Sequence, residues 1–251
     1  MIQIQLQTDV GLKRKQNEDF VSQFVNQNQE SLVVLADGIG GNKSGDVASR
    51  LVVNKLGLAF SVTDFSTASH EQIEMWFTNK LTELNAELRA KGAEDAQFEE
   101  MGTTIVLIYI HQNETLVAHV GDSRAYIFKD NHLHLLTEDH TFVNALYKLD
   151  SITKEEAETH PERHKLIRAI GVPIKEQIEV DYLWQQLQVN NLYLLCSDGL
   201  TNMLSDQIIE ETLKTTTNLT DLANSLVEQA KAAGGYDNIS VALIRNEEVQ
   251  K

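Results

Sequence analysis

From Thr103 to Leu136 the chain reads TTIVLIYIHQNETLVAHVGDSRAYIFKDNHLHLL. Apolar and β-branched residues fill Thr104–His111, Thr115–Val120, Ala125–Phe128 and Leu133–Leu136, and the breaks between them are polar. Four short strands in succession, with Asp130-Asn131 as a tight turn, predict antiparallel sheet. Outward from there the signals repeat. Ile2, Ile4 and Leu6 alternate with Gln, as a half-buried strand does. Phe20–Val25 and Ser31–Ala36 flank the polar stretch Asn26–Glu30, a hairpin pattern. Leu192–Cys196 is a continuous apolar run that reads as a buried strand, and Ile239–Arg245 closes the series.

Helical periodicity comes in blocks between these groups. Two helical stretches follow Ala36; in the second, Ile73, Trp76, Phe77, Leu81, Leu84 and Leu88 recur at three- and four-residue steps and predict a core-facing stripe. Phe142–Ile170 is polar and helix-prone, with a capping box at Thr153-Lys154-Glu155-Glu156. Amphipathic helices are expected near Asp206–Lys214 and Leu219–Ala232. Strands in groups and helices in pairs predict an α+β fold with antiparallel sheets rather than βαβ winding. No linker, low-complexity tract or repeat interrupts the 251 residues, so one domain over 1–251 is expected.

Composition narrows the function. The 21 Lys+Arg against 37 Asp+Glu give a net charge of −16, which argues against a nucleic-acid surface or attraction to anionic lipid. Excess carboxylate suits hard cations or plain solubility. One cysteine, Cys196, excludes an internal disulfide framework and a thiolate zinc site, and its apolar strand makes it a core residue. No apolar run approaches the ~20 residues of a membrane helix, and the N-terminus shows no basic region before an apolar one. A cytoplasmic location without membrane insertion is the expectation.

The aspartates are the informative residues. Asp37 follows an apolar strand and precedes Gly38-Ile39-Gly40-Gly41; Asp122 follows Val120-Gly121; Asp198 precedes Gly199; Asp237 comes two residues after Gly235. Asp-Gly alone is a common turn. Four carboxylates at strand edges beside glycine are what a Mg²⁺ or Mn²⁺ cluster needs, because hard cations take oxygen ligands and glycine lets a backbone carbonyl join them. Rival motifs fail on spacing. Lys43 breaks a dinucleotide fingerprint, Asn42 before Lys43-Ser44 breaks a P-loop, and Ile39 and Gly41 stand where an EF-hand needs ligands. Asn202 stands where a Cys-x₅-Arg loop would need arginine. Near the first strand, Arg14 is either a solvated charge or a planar fork for a phosphate.

Arg14-x-x-Asn17-Glu18-Asp19, Asp37-Gly38-x-Gly40-Gly41, Met101-Gly102-Thr103-Thr104, Val120-Gly121-Asp122-Ser123-Arg124, Ser197-Asp198-Gly199-Leu200 and Asp237-Asn238 occur in the order seen in type 2C (PPM) metal-dependent protein phosphatases. The chain resembles that family over essentially its whole length, and 138–172 looks like the flap of its compact bacterial members. The resemblance implies a sandwich of two antiparallel sheets flanked by helix pairs, with a metal cleft at the strand ends. It implies hydrolysis of phosphoserine and phosphothreonine in proteins by a metal-activated water, with no protein nucleophile. By that likeness Asp37 bridges two Mn²⁺ or Mg²⁺ ions, the Gly38 carbonyl holds one, and Asp198 and Asp237 hold the other. A third, weaker ion falls to Asp122 with Asp198, Glu18 orients a metal-bound water, and Arg14 binds the substrate phosphate. The implied partners are phosphorylated proteins, among them a Ser/Thr kinase of the eukaryotic type, and the protein is expected to be a monomer.

Two departures stand out. Ile39 replaces a histidine that eukaryotic relatives commonly use to protonate the leaving group, so a metal-bound water or another acid, such as His140, is needed. Lys148-Leu149-Asp150 stands where a flap glycine is usual. His119 is expected to be packed or surface-facing, His160 to end a helix, and His140 is an alternative flap-orienting residue. Two further readings compete: a metal-free relative acting as a binding module, against which the intact aspartates argue, and a phosphatase of the same fold acting on small phosphoesters or on one regulatory protein.

Overall fold

A computed structural model describes residues 1–40, 44–172 and 178–247; Gly41 of the Asp37 motif lies outside them. The strands are β1 (Ile2–Asp9), β2 (Phe20–Val25), β3 (Ser31–Ala36), β4 (Gly38–Ile39), β5 (Gly102–Thr103), β6 (Ile105–His111), β7 (Glu114–Val120), β8 (Arg124–Lys129), β9 (His132–Leu135), β10 (Asp181–Gln186), β11 (Leu192–Cys196) and β12 (Ile239–Asn246). The α-helices are α1 (Ser44–Ser61), α2 (His70–Glu94), α3 (Phe142–Lys148), α4 (Lys154–Thr159), α5 (Asp198–Thr201), α6 (Asp206–Leu213) and α7 (Leu219–Ala232). One five-stranded sheet runs β1-β12-β11-β8-β9 and the other β10-β7-β6-β3-β2; β4 and β5 form a small separate pair.

Period-two alternation explains the layers. On β3 and β6, Val33, Leu35, Val106, Ile108 and Ile110 enter the space between the sheets and meet Ala125, Ile127, Tyr193, Leu195, Ala242 and Ile244 from the other sheet. The alternate residues Leu32, Val34, Leu107 and Tyr109 face α1 and α2, against Val52, Leu56, Phe60 and Phe77. On the far side Leu194, Cys196, Val241 and Leu243 pack against Leu222 and Leu226 of α7. Both faces of each central strand are covered, which is why these strands read as unbroken apolar runs. The α+β sandwich flanked by helix pairs is therefore the observed architecture.

The Asp130-Asn131 turn has φ of 52° and 64°, as a tight hairpin requires. Thr153 builds the expected capping box, and His160 caps the end of α4. The segment 142–170 is less helical than its composition suggests. Only α3 and α4 form, and the chain then returns through isolated bridges Thr141–Leu166 and Thr103–Ile170. Its ends are pinned by sheet-like pairing, which local helix propensity cannot signal. Asp150 adopts φ 53°, the left-handed conformation that glycine would take there most readily.

Candidate active site

The two sheets end together at one edge of the sandwich. Leu35 pairs with Val106, Ile105 with Val120, and Cys196 with both Arg124 and Val241. The residues just beyond these ends therefore converge, although 200 positions separate Asp37 from Asp237 in sequence. Arg14, Glu18, Asp37, Gly38, Asp122, Asp198 and Asp237 all line one cavity of about 300 Å³, together with Ile39, Thr104, His164 and Asn238. Every site residue expected from sequence is in it.

Local chemistry fixes each group. The Asp37 N–H donates to Thr104 Oγ1 (3.0 Å), while Thr104 N–H and Thr103 Oγ1 donate to the Asp37 carbonyl (2.9 and 2.8 Å). The backbone around Asp37 is thus fully engaged, leaving its carboxylate to project into the cleft. Gly38 N–H donates to the Glu18 carbonyl (3.2 Å), and a Cβ on Gly38 would lie 2.2 Å from the Gly45 carbonyl oxygen. Only glycine admits α1 so close. Gly199 does the same for the last two ligands: a Cβ there would lie 1.9 Å from the Asn238 carbonyl oxygen. Asn238, buried, accepts from Glu18 N–H (2.8 Å) and donates to the Val10 and Gln16 carbonyls (2.9 Å each), so it ties the loop carrying Arg14 and Glu18 to the start of β12. Arg14, half exposed at the rim, pairs with Asp237 Oδ2 at 2.7 Å.

The electrostatics are those of a cation site. Burial and then the neighbouring Asp19, Asp198, Asp122 and Asp237 push the Asp37 carboxyl well above the usual carboxylate range. Burial and Asp198 push Asp122 up to about 8. Asp198 is raised by burial and by Asp237, and Glu18 chiefly by burial. Behind them lies Asp19, a buried carboxyl pushed up to about 7 by burial; Ser197 Oγ donates to its Oδ2 (2.7 Å), but its Oδ1 has no hydrogen-bond partner. Like charges gathered with one arginine, and an orphaned buried oxygen, fit the all-oxygen ligation of divalent cations.

The sequence reading missed His164, Asn238 as a tether, Thr104 and the depth of Asp19. His164 lines the carboxylate cavity and also an adjoining one of about 930 Å³, walled by α3 and α4 on one side and Thr201–Gln207 on the other; Asp122 and Asp198 are likewise shared. His140 is not the acid of this cleft. Its Nδ1 accepts from Gly121 N–H and its Nε2 faces Asp181. His119 is buried and stacked on His140, as a packed histidine.

A family model described as protein phosphatase 2C matches residues 13–233. The chain is 39% identical to protein phosphatase PhpP of Streptococcus pneumoniae over 248 residues, 98% of this chain and 99% of that one. A solved Streptococcus agalactiae serine/threonine phosphatase superposes with a TM-score of 0.93 at 37% identity, covering 98% of this chain and 100% of that one. The catalytic domain of the serine/threonine protein phosphatase PstP, solved with two manganese ions, is 30% identical with a TM-score of 0.83, covering 98% and 99%. With the carboxylate cleft in place and likeness running the length of the chain, this protein belongs to the protein phosphatase 2C family and is a metal-dependent serine/threonine protein phosphatase.

Proposed function

We propose that the cleft hydrolyses phosphoserine and phosphothreonine in proteins by direct attack of water, and that the convergence of five carboxylates on a single arginine is what equips it to do so. Asp37, with the Gly38 carbonyl, Asp198 and Asp237, would hold two Mn²⁺ or Mg²⁺ ions, and Asp122 with Asp198 a third. When bound, such ions acidify water and neutralise phosphate charge. The protein's own groups do the rest. Glu18, held by Asn238 through its backbone, orients the attacking water and receives its proton. Arg14 leaves Asp237 to grip two phosphate oxygens with its planar fork. Ile39 brings no titratable group to the cleft, and His164, the imidazole of the cavity wall, gives the proton to the departing serine or threonine oxygen.

The adjoining cavity shares Asp122, Asp198 and His164 with the cleft and, at about 930 Å³, has room for polypeptide around the phosphoresidue. This supports protein substrates, among them a Ser/Thr kinase of the eukaryotic type and its targets, over small phosphoesters. No helix among the described residues is long and apolar enough to cross a membrane. The working form in this reading is a cytoplasmic monomer, whose net charge of −16 opposes self-association. The test is hydrolysis of phosphoserine and phosphothreonine peptides with and without Mn²⁺. Turnover that appears with the ion and vanishes on chelation is expected; turnover that survives chelation, or is confined to small phosphoesters, would overturn the proposal.

A further inference from the structure

His140 stands at the first root of the flap and bonds twice to the residue before Asp122. Its backbone N–H donates to the Gly121 carbonyl (3.0 Å), and Gly121 N–H donates back to its Nδ1 (3.0 Å). The acceptor role of Nδ1 puts the ring proton on Nε2, which faces Asp181 Oδ2 at 3.1 Å. Arg168, at the second root, donates to Asp181 Oδ1 (2.8 Å) and pairs with Glu179 (3.0 Å). Ile167 N–H donates to the His140 carbonyl (2.9 Å), and the His119 ring stacks on His140 with centroids 4.5 Å apart. Both flap roots and β10 therefore meet on one imidazole.

On its other side Gly121, at φ +113°, is pressed against Thr104, where a Cβ would lie 2.6 Å from Cγ2. Thr104 in turn holds the Asp37 backbone. Asp122 thus follows a residue clamped between the flap root and the Asp37 strand. His119, His140 and Asp181 also bring potential ligand atoms within 4.8 Å of one another, but a cation there would have to displace Arg168, whose Nη1 lies 2.8 Å from Asp181 Oδ1 and 3.1 Å from His140 Nε2, and the Nε2 proton. The cluster already holds its positive charge.

We infer that His140 is a positioning residue: through Nδ1 it sets the Gly121-Asp122 turn, and so couples the seating of the flap to the affinity of the third ion. The inference rests on the assignment of Asp122 to that ion, and its two readouts separate the parts. Asparagine reproduces an acceptor at the Nδ1 position and glutamine one nearer Nε2. In amide hydrogen exchange, Gly121 N–H is expected to be protected in the wild type and in His140→Asn, and to exchange at least about tenfold faster in His140→Gln and His140→Ala. In Mn²⁺ titration the two tighter ions should be unchanged, while the weakest binds about 10–100-fold less well in His140→Gln and His140→Ala than in His140→Asn, the range expected when a group supporting a ligand is removed. Melting curves identify any variant that fails to fold, and the Asn and Gln pair carries the contrast if His140→Ala does. Unchanged Gly121 exchange in the Gln variant overturns the inference. So does unchanged weak-ion affinity in a protein whose Asp122→Asn form has lost that ion. If Asp122→Asn keeps the ion, the assignment of Asp122 fails instead, and the exchange data still decide the His140 link.

Discussion

Two buried acidic clusters lie at opposite ends of β3, roughly 20 Å apart along the strand, and they are solved in opposite ways. At the start, the Glu30 carboxylate accepts from Tyr109 Oη (2.6 Å) and Asn26 Nδ2 (2.8 Å) and bonds His111 Nδ1 (2.7 Å), so the protein supplies its donors. At the end, Asp37 faces Asp122, Asp198 and Asp237, and the oxygen of Asp19 behind them has no partner. A carboxylate buried with its own donors stabilises the fold; carboxylates buried against each other await a cation from outside. The distinction lies in the partners and not in the residue type.

The comparison can be broken most decisively at Asp37. Asp37→Asn should cost on the order of 10³-fold or more in Mn²⁺-dependent phosphopeptide turnover and weaken ion binding in calorimetry, while the ion-free protein melts no lower, since a neutral amide of the same shape replaces a buried carboxyl whose ionisation its acidic neighbours oppose. A large fall in melting temperature without ions would place Asp37 in the structural class with Glu30. The converse substitution, Glu30→Ala, strands Tyr109 and His111 and should lower stability by about 2–4 kcal/mol in denaturant titration. Its kcat/KM per folded molecule should match the wild type. Arg14→Ala tests the rim: losing charge-assisted bonds to phosphate predicts about 10–100-fold lower kcat/KM, mostly through KM. An unchanged value would leave Arg14 as no more than the partner of Asp237.

The smallest effect is a pH dependence. Without ions, Asp37 and Asp122 are raised above their unfolded values, Asp122 to about 8. The native state then binds more protons than the unfolded chain, so this contribution is present at acid pH and is lost as pH rises through about 8. Cations displace those protons, so the gain in melting temperature on adding Mn²⁺ should be larger at pH 8 than at pH 6, by a few degrees. A gain independent of pH would mean that the carboxyls are not protonated in the ion-free protein.

How much of this is written locally follows from the same contrast. The central strands and the four aspartates beyond their ends are legible because alternation, apolar runs and Asp-Gly turns are short-range signals. β10 escapes notice because Asp181–Gln186 sits at a sheet edge, only partly buried, and its three apolar residues are consecutive and flanked by polar ones instead of alternating with them. The β4–β5 pair is only two residues long on each side. His140 and His164 both lie within the flap stretch 138–172, yet one clamps a turn and the other faces the cleft. Sequence alone expects a metal-bound water as the proton donor and offers His140 as the alternative acid, with nothing to single out His164, because both are simply histidines in a polar segment; which way the His140 ring turns depends on Gly121 and Asp181, whose positions are set by other strands.

β12 pairs with β1 from Ile2↔Asn246 to Asp9↔Ile239, and the segments beside these strands meet in the cleft: Arg14 and Glu18 follow β1, while Asp237 and Asn238 precede β12. In synthesis the first of these segments emerges long before the second. Until β12 has emerged and inserted between β1 and β11, Asn238 cannot tether the loop that carries Glu18. The centre is therefore completed only after β12 has been made, and pairing across so many residues makes closure a slow, late step of folding. Dephosphorylation waits on β12.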